Sequence, residues 1–331
     1  MQKLIIFFLF IYTPVFCQAQ GESVRIVFYN TENFFDTIKD SITNDKEFTP
    51  DGKRKWNKYK YEEKLKAIYK VIVASGSRTP PEVIGLCEVE NENVLLDLIH
   101  NTPLNKFKYN IIHYDSPDRR GIDVAIIYQA DKLVKISSAQ IPVVDAKNPS
   151  FHTRDILYAS FKTSQEDTLH FFVNHWPSRR GGAERSAAKR ILAAQTLHNY
   201  IDQNLKISFK CIIMGDFNDT PEDKSIQLVK SNYENGISFR NISTCEGINC
   251  GTIKYKGKWD LFDQILISEN LFDKLKVEDN SNKYFIIQPS FLLTDDKAYS
   301  GKRPKATFHG YQYERGFSDH LPVATELYLF P

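Results

Sequence analysis

The sequence predicts an α+β fold in which two β-sheets pack face to face with helices over their outer sides. Three observations predict it. Nine short apolar runs rich in β-branched and aromatic residues are bounded by polar or turn residues, as strands are. Three segments carry apolar residues at helical spacing. No Pro/Gly/Ser-rich linker, low-complexity tract or internal repeat divides the chain, so residues 21–331 read as one domain.

At the N-terminus, Lys3 precedes an unbroken apolar run from Leu4 to Tyr12, followed by Pro14 and small residues around Ala19. That order of charged, apolar and cleavage regions predicts a secretory signal over residues 1–20. The run is too short to span a bilayer, and bulky Phe16 before Cys17 disfavours a lipid anchor. The expectation is an exported protein, periplasmic or extracellular.

Strands are predicted at Val24–Asn30, Val83–Glu88, Asn110–Tyr114, Ile122–Tyr128, Ile156–Phe161, Leu169–His175, Lys210–Gly215, Leu261–Ser268 and Leu321–Tyr328. Helices are predicted within Tyr59–Ser75, where Leu65, Ile68, Ile72 and Val73 recur at helical spacing, around Asn93–His100, and within Ala183–Asn204. Cys87 and Cys211 sit in strand-like runs and read as small core residues. Cys245 and Cys250 flank a Gly-containing loop where a local disulfide is one of two open readings, since spacing does not establish geometry. No cysteine pair has the spacing of a structural zinc site.

Composition excludes little. The 43 Lys and Arg against 41 Asp and Glu leave a net charge of +2, so no global field announces a polyanionic partner. Contact with nucleic acid must then come from local patches. Two exist: Lys53, Arg54, Lys55, Trp56, Lys58 and Lys60 in an early loop, and Arg179, Arg180, Arg185, Lys189 and Arg190 after a His-Trp-Pro turn.

The chemistry gathers at the ends of the strands. The first ends in Asn30, the second in Glu88, a middle one in His175, a later one in Gly215-Asp216-Phe217-Asn218, and Ser318-Asp319-His320 precedes the last. An apolar strand breaking into Gly-Asp-x-Asn delivers a carboxylate and a carboxamide to the edge of a buried sheet. A metal-bound phosphate could meet both there. Glu88 is the leading ligand for a hard cation, Mg²⁺ with Mn²⁺ or Ca²⁺ as substitutes, and Asn30 and Asp319 lie in the same set. Asp216 suits the orientation or deprotonation of water, Asn218 can donate to a phosphate oxygen, and protonated His175 and His320 can do the same.

This ordered set, from YNTENFFD at 29–36 to SDHLPV at 318–323, resembles the endonuclease/exonuclease/phosphatase superfamily. The resemblance implies a four-layer α/β/β/α sandwich of two packed, mainly antiparallel sheets with the site at one edge. It also implies that Asp263 pairs with His320, that Asp123 is a partner for His175, and that Arg154 binds phosphate. Cys87 stands where many relatives have Gln, which removes one support for Glu88. The glycines of the turn at 177–182 allow close approach of backbone amides to an anion, so Arg179 and Arg180 are expected to meet substrate beyond the scissile phosphate.

The expected activity is metal-dependent phosphodiester hydrolysis by a monomer with no stable protein partner, with nucleic acid as first substrate. A phosphodiesterase or phosphatase acting on phospholipid headgroups or small phosphoesters is the alternative, with Phe34, Phe35 and Trp176 as an apolar rim. A non-catalytic binding role leaves the full acid, amide and imidazole set without a purpose.

Overall fold

The computed structural model describes residues 22–41, 43–245, 247, 250–275 and 284–329, so the leader expected at 1–20 lies outside the described residues. Nine strands come first in chain order: β1 (Glu22–Phe34), β2 (Val83–Val89), β3 (Tyr109–His113), β4 (Asp123–Gln129), β5 (Leu133–Ile141), β6 (Ile156–Thr163), β7 (Thr168–His175), β8 (Lys210–Asp216) and β9 (Phe239–Asn241). The strands Asp263–Ser268, Phe285–Ile286 and Val323–Leu329 complete two six-stranded sheets. One sheet runs Phe285–Ile286, Val323–Leu329, β1, β2, β4, β3. The other runs β5, β6, β7, β8, Asp263–Ser268, β9.

Each sheet is antiparallel except for one central parallel pair, β1 with β2 and β7 with β8. A parallel pair needs a crossover, and a helix supplies it in both cases. α1 (Lys58–Ser75) joins β1 to β2, and α3 (Ala183–Asn204) joins β7 to β8. α1 begins where Asn57 accepts the Lys60 N–H, and α2 (Glu92–His100) where Asn91 accepts that of Val94. α3 instead follows Gly181 and Gly182, both at positive φ.

Side-chain alternation sorts the layers. Ile26 and Phe28 of β1 point between the sheets, among Ile126, Phe161, Phe171, Ile212 and Met214. Val27 and Tyr29 point the other way, onto Ile68 and Ile72 of α1 and Leu95 of α2. On the far side Ala193, Leu197 and Ile201 of α3 cover Phe172 and Ile213. The result is the four-layer arrangement that the resemblance implied. Cys87 is indeed an inter-sheet core residue and Cys211 packs under α3, while Cys245 and Cys250 are bridged.

All nine expected strands and all three helices are present, with ends shifted by a few residues. The longest of the unexpected strands, β5, is an edge strand whose Val134 to Ser137 all face solvent, so it carries no alternation to read, and the others, such as β9 and Phe285–Ile286, are only two or three residues long.

Two glycines permit the close packing. A Cβ at Gly85 would meet the Met214 Cε at 2.7 Å, and one at Gly215 would meet the Asn174 carbonyl oxygen at 2.4 Å. Met214 can swing aside, whereas the Asn174 backbone cannot without breaking the β7–β8 ladder. Gly215→Ala should therefore destabilise the fold by about 1–3 kcal/mol and Gly85→Ala by less, as read from urea unfolding midpoints; equal costs would contradict this account.

Candidate active site

The two parallel pairs end on the same side of the sandwich. β1 and β2 run side by side with Asn30 opposite Cys87, and β7 and β8 with His175 opposite Asp216. Asp216 also faces Asp263 across the next antiparallel pair. Bulges break the register after Asn30 and after Cys87, and Glu88 sits in the bulge at φ 60°. A left-handed conformation in a residue with a Cβ costs roughly 1–2 kcal/mol. It turns the Glu88 carboxylate out of the strand alternation, so that Cys87 can point into the core and Glu88 to the edge.

Asp216 is the centre. Its Oδ2 accepts from Asn30 Nδ2 at 3.0 Å, and its Oδ1 accepts from the backbone N–H of Asn218 at 3.0 Å. His175 Nε2 lies 3.7 Å and His320 Nε2 3.8 Å from the same Oδ2. His175 Nε2 is also 3.9 Å from Glu88 Oε1. On the far side of the imidazole, His320 Nδ1 meets Asp263 Oδ2 at 2.7 Å. Asn30, Glu88, His175, Asp216, Asn218, Asp263 and His320, drawn from positions 30 to 320, thus share one edge pocket. Asp319 is exposed beside it.

The turns carrying these groups are tied to one another. Trp176 donates its N–H to the Asp216 carbonyl and accepts at its own carbonyl from Asn218 Nδ2, at 3.0 Å each. Its indole stands edge-on to Phe217, with ring centroids 4.7 Å apart. At the C-terminal motif, Ser318 Oγ donates to the Asn30 carbonyl and accepts the His320 N–H. Thr252 Oγ1 accepts the N–H of Asp263, and the Tyr284 hydroxyl donates to the Asp263 carbonyl. Glu88 Oε2 accepts the Asn33 N–H at 2.9 Å, a support that replaces the one removed with Gln at position 87.

Electrostatics separates the two histidines. Burial alone would push His320 down, but Asp263, Asp216 and Asp319 outweigh it and raise its pKa well above the ordinary 6.5. His175 has no carboxylate within hydrogen-bond distance, Asp216 and Glu88 standing 3.7 and 3.9 Å away. Burial, reinforced by Arg154 and Arg120, holds it well below the ordinary range as a neutral ring. Burial also pushes Asp216 up to about 6, with Asp263 adding to the rise and His320, the Asn218 N–H and Asn30 opposing it. Asp216, Asp263 and His320 offer atoms within 4.8 Å of one another that could hold an ion. Because His320 Nδ1 is already spent on Asp263, the trio serves better as a base with its charge partner.

Five expectations from the sequence are corrected. Asp123 does not reach His175: it accepts from His113 Nε2 at 3.2 Å and from Ser116, because β4 places it against β3. Arg154 is buried and its guanidinium is engaged by protein groups rather than left free for the scissile phosphate. Its Nε donates to the His175 carbonyl, its Nη2 to that of Trp176 and its Nη1 to Asp118, so it holds the catalytic turn from behind. Arg179 turns inward onto the Asn218 carbonyl, Asp219 and Asp223, and stacks on Phe262; Arg180 alone of the pair is exposed. In the early loop Trp56 is fully buried and donates to the Phe35 carbonyl, while Arg54 lies over Phe48 and Phe308. Phe34, Phe35 and Trp176 are likewise buried, so no apolar rim forms there.

Other residues of the site carried no motif. Asp219 accepts from Arg179 and Ser225 and pairs with the Arg190 charge, anchoring the loop after Asp216. Glu32 accepts the N–H groups of Thr307 and Phe308, and buried Lys64 of α1 donates to Thr307 Oγ1 and the Phe317 carbonyl. Together they pin the segment leading to His320 onto β1 and α1. One signal was available: Lys64 shares the helical stripe of Ile68, Val71 and Ser75, where a charged residue is out of place unless paired.

A sequence model of the Endonuclease/Exonuclease/phosphatase family matches residues 25–328. The chain belongs to that family. Among curated proteins none matches it by sequence. Solved structures agree in fold. An endonuclease/exonuclease/phosphatase family protein of Bacteroides thetaiotaomicron is 16% identical, with 94% of this chain and 100% of that one covered at a TM-score of 0.59. A mannosyl-6-phosphatase of the same organism is 17% identical, covering 93% and 100% at 0.58. TDP2 of D. rerio, complexed with a single strand DNA product, is 12% identical, covering 92% and 98% at 0.52. Members of the family are phosphoester hydrolases, nucleases and phosphatases among them, and the protein is an enzyme of that class.

Two measurements check the site. A raised pKa means that the stability from the His320–Asp263 pair is complete below the ordinary value of 6.5 and is lost as pH rises through the elevated one. In Asp263→Asn the His320 ring resonances should titrate lower by about one pH unit or more; an unmoved midpoint would break the pairing argument. Arg179→Ala should destabilise by about 1–3 kcal/mol and Arg180→Ala by under about 0.5 kcal/mol, as seen by thermal unfolding.

Proposed function

We infer that the protein is an exported, divalent-metal-dependent phosphodiester hydrolase, an endonuclease that cleaves nucleic acid by in-line attack of an activated water. The observation that carries the chemistry is the Asp216 carboxylate, buried, held by Asn30 and Asn218, and faced by two imidazoles. With a pKa pushed up to about 6 it is mostly ionised at neutral pH, yet basic enough to take a proton from water. His320, kept protonated by Asp263, donates to a phosphoryl oxygen. Asn218 has one amide N–H beyond that given to Trp176 and offers it to the same phosphate. Neutral His175 adds a single N–H.

The donor set fits a hard cation. Glu88, Asp319 and Asn30 offer only oxygen ligands of the kind Mg²⁺ prefers, and the Glu88 Oε1 faces the pocket while Oε2 is held by Asn33. When bound there, Mg²⁺, or Mn²⁺ or Ca²⁺ in its place, would polarise a phosphoryl oxygen and offset the charge that builds on phosphorus.

Nucleic acid is favoured by the cationic face after His175, where Arg180, Arg185 and Lys189 stay exposed, and export by the leader pattern of residues 1–20. The inward packing of Trp56 and Arg54 favours a second reading, a phosphatase of small water-soluble phosphoesters, because it withdraws one basic and aromatic wall from substrate.

A panel of plasmid DNA, single-stranded DNA, RNA, sphingomyelin and inositol phosphates, each with and without chelator, separates the two. Chelator-sensitive cleavage of nucleic acid is expected, falling by several orders of magnitude in Asp216→Ala, and Glu88→Gln should raise the Mg²⁺ concentration for half-maximal rate. Turnover of inositol phosphates alone would select the second reading, and no turnover by folded protein would end both. Cell fractionation checks export.

A further inference from the structure

Behind the His175–Trp176 turn lies a cavity of about 510 Å³ that is no part of the pocket described above. Its wall nearest the site is Arg154, whose guanidinium spans from the His175 and Trp176 carbonyls to Asp118. Arg119, Arg120, Arg180 and Lys189 line the remainder, against a single carboxylate, Asp118. That carboxylate is already engaged by Arg154 at 3.0 Å and Arg120 at 3.3 Å. Arg180 and Lys189 have no acidic partner among the described residues. Thr153 lines the same cavity, only 2% exposed, and its hydroxyl finds no hydrogen-bond partner. A buried hydroxyl without a partner costs about 1–3 kcal/mol; the surplus positive charge of Arg180 and Lys189 beside it is what an anion would offset.

We propose that this cavity is a second anion subsite, which takes a phosphate of the substrate other than the one being cleaved. Guanidinium forks match phosphate oxygens two at a time, and Arg119, Arg120 and Arg180 reach in from two separate loops. The volume exceeds a phosphate and leaves room for the sugar attached to it. The subsite rests on the phosphodiesterase reading and deepens it: the preferred substrate carries at least two phosphates. The second one is either the next along a nucleic-acid backbone or a terminal monoester, and the chemistry that recognises them is shared.

Three thymidine substrates separate these sources: TpT with one phosphate, TpTpT with a second backbone phosphate, and pTpT with a terminal one. The wild type should cleave at least one of the latter two with kcat/KM about tenfold or more above TpT. Preference for TpTpT identifies the backbone phosphate, preference for pTpT the terminal monoester. In the doubly substituted Arg119→Ala, Lys189→Ala protein that preference should shrink while the loss on TpT is several-fold smaller. Equal wild-type rates on all three, or equal fractional losses across them, would overturn the subsite. If no diester is turned over, so that the hydrolase reading itself fails, calorimetry of pyrophosphate binding in the presence of chelator still decides. Binding by the wild type that weakens about tenfold in the double variant supports the subsite; no binding by the wild type overturns it.

Discussion

One hydrogen bond, from Asn30 to Asp216, crosses from one sheet to the other. It can form only because the sheets pack so that the ends of two parallel strand pairs lie side by side. That packing is apolar: Phe28 and Cys87 from one sheet meet Met214 and Val173 from the other, and Gly85 admits Met214 at close range. Both polar partners of the bond are buried, so losing either would leave the other unsatisfied in a low-dielectric setting. The catalytic edge is thus a consequence of how the core closes.

Around that bond, buried cations hold the loops in place. Arg154 grips the turn at His175, Arg190 and Arg179 grip Asp219 just after Asn218, and Lys64 grips the segment before His320. Each is tied to a carboxylate or to backbone carbonyls, as a desolvated charge must be. Chemistry that depends on placing a carboxylate and two imidazoles within 4 Å gains from such fixed supports. Arg180 and Lys189, which have no acidic partner among the described residues, lie one layer further out.

The legible parts were those with a period. β1, β7 and β8 announced themselves by apolar runs ending in Asn30, His175 and Asp216, and α3 by its recurring alanines and leucines. β5 did not, since its exposed middle carries no alternation. The choice of partners was also hidden. Asp123, on a strand of the other sheet from His175, is taken up by His113 and Ser116, and Trp56, in a run of lysines and arginines that looks like surface, is buried beneath Phe308 and Phe48.

The sequence by itself determined the element types, the two-sheet architecture and six polar groups of the edge, with Asp263 added by family resemblance, because side-chain period and strand-end chemistry are local properties of a chain. Tertiary structure alone decided which histidine is charged, which arginines are internal, and how Glu88 keeps a support without Gln beside it. Those outcomes depend on burial and on contacts between residues far apart in the chain, such as Asp263 with His320 and Arg154 with Asp118. No window along the sequence contains both members of such a pair.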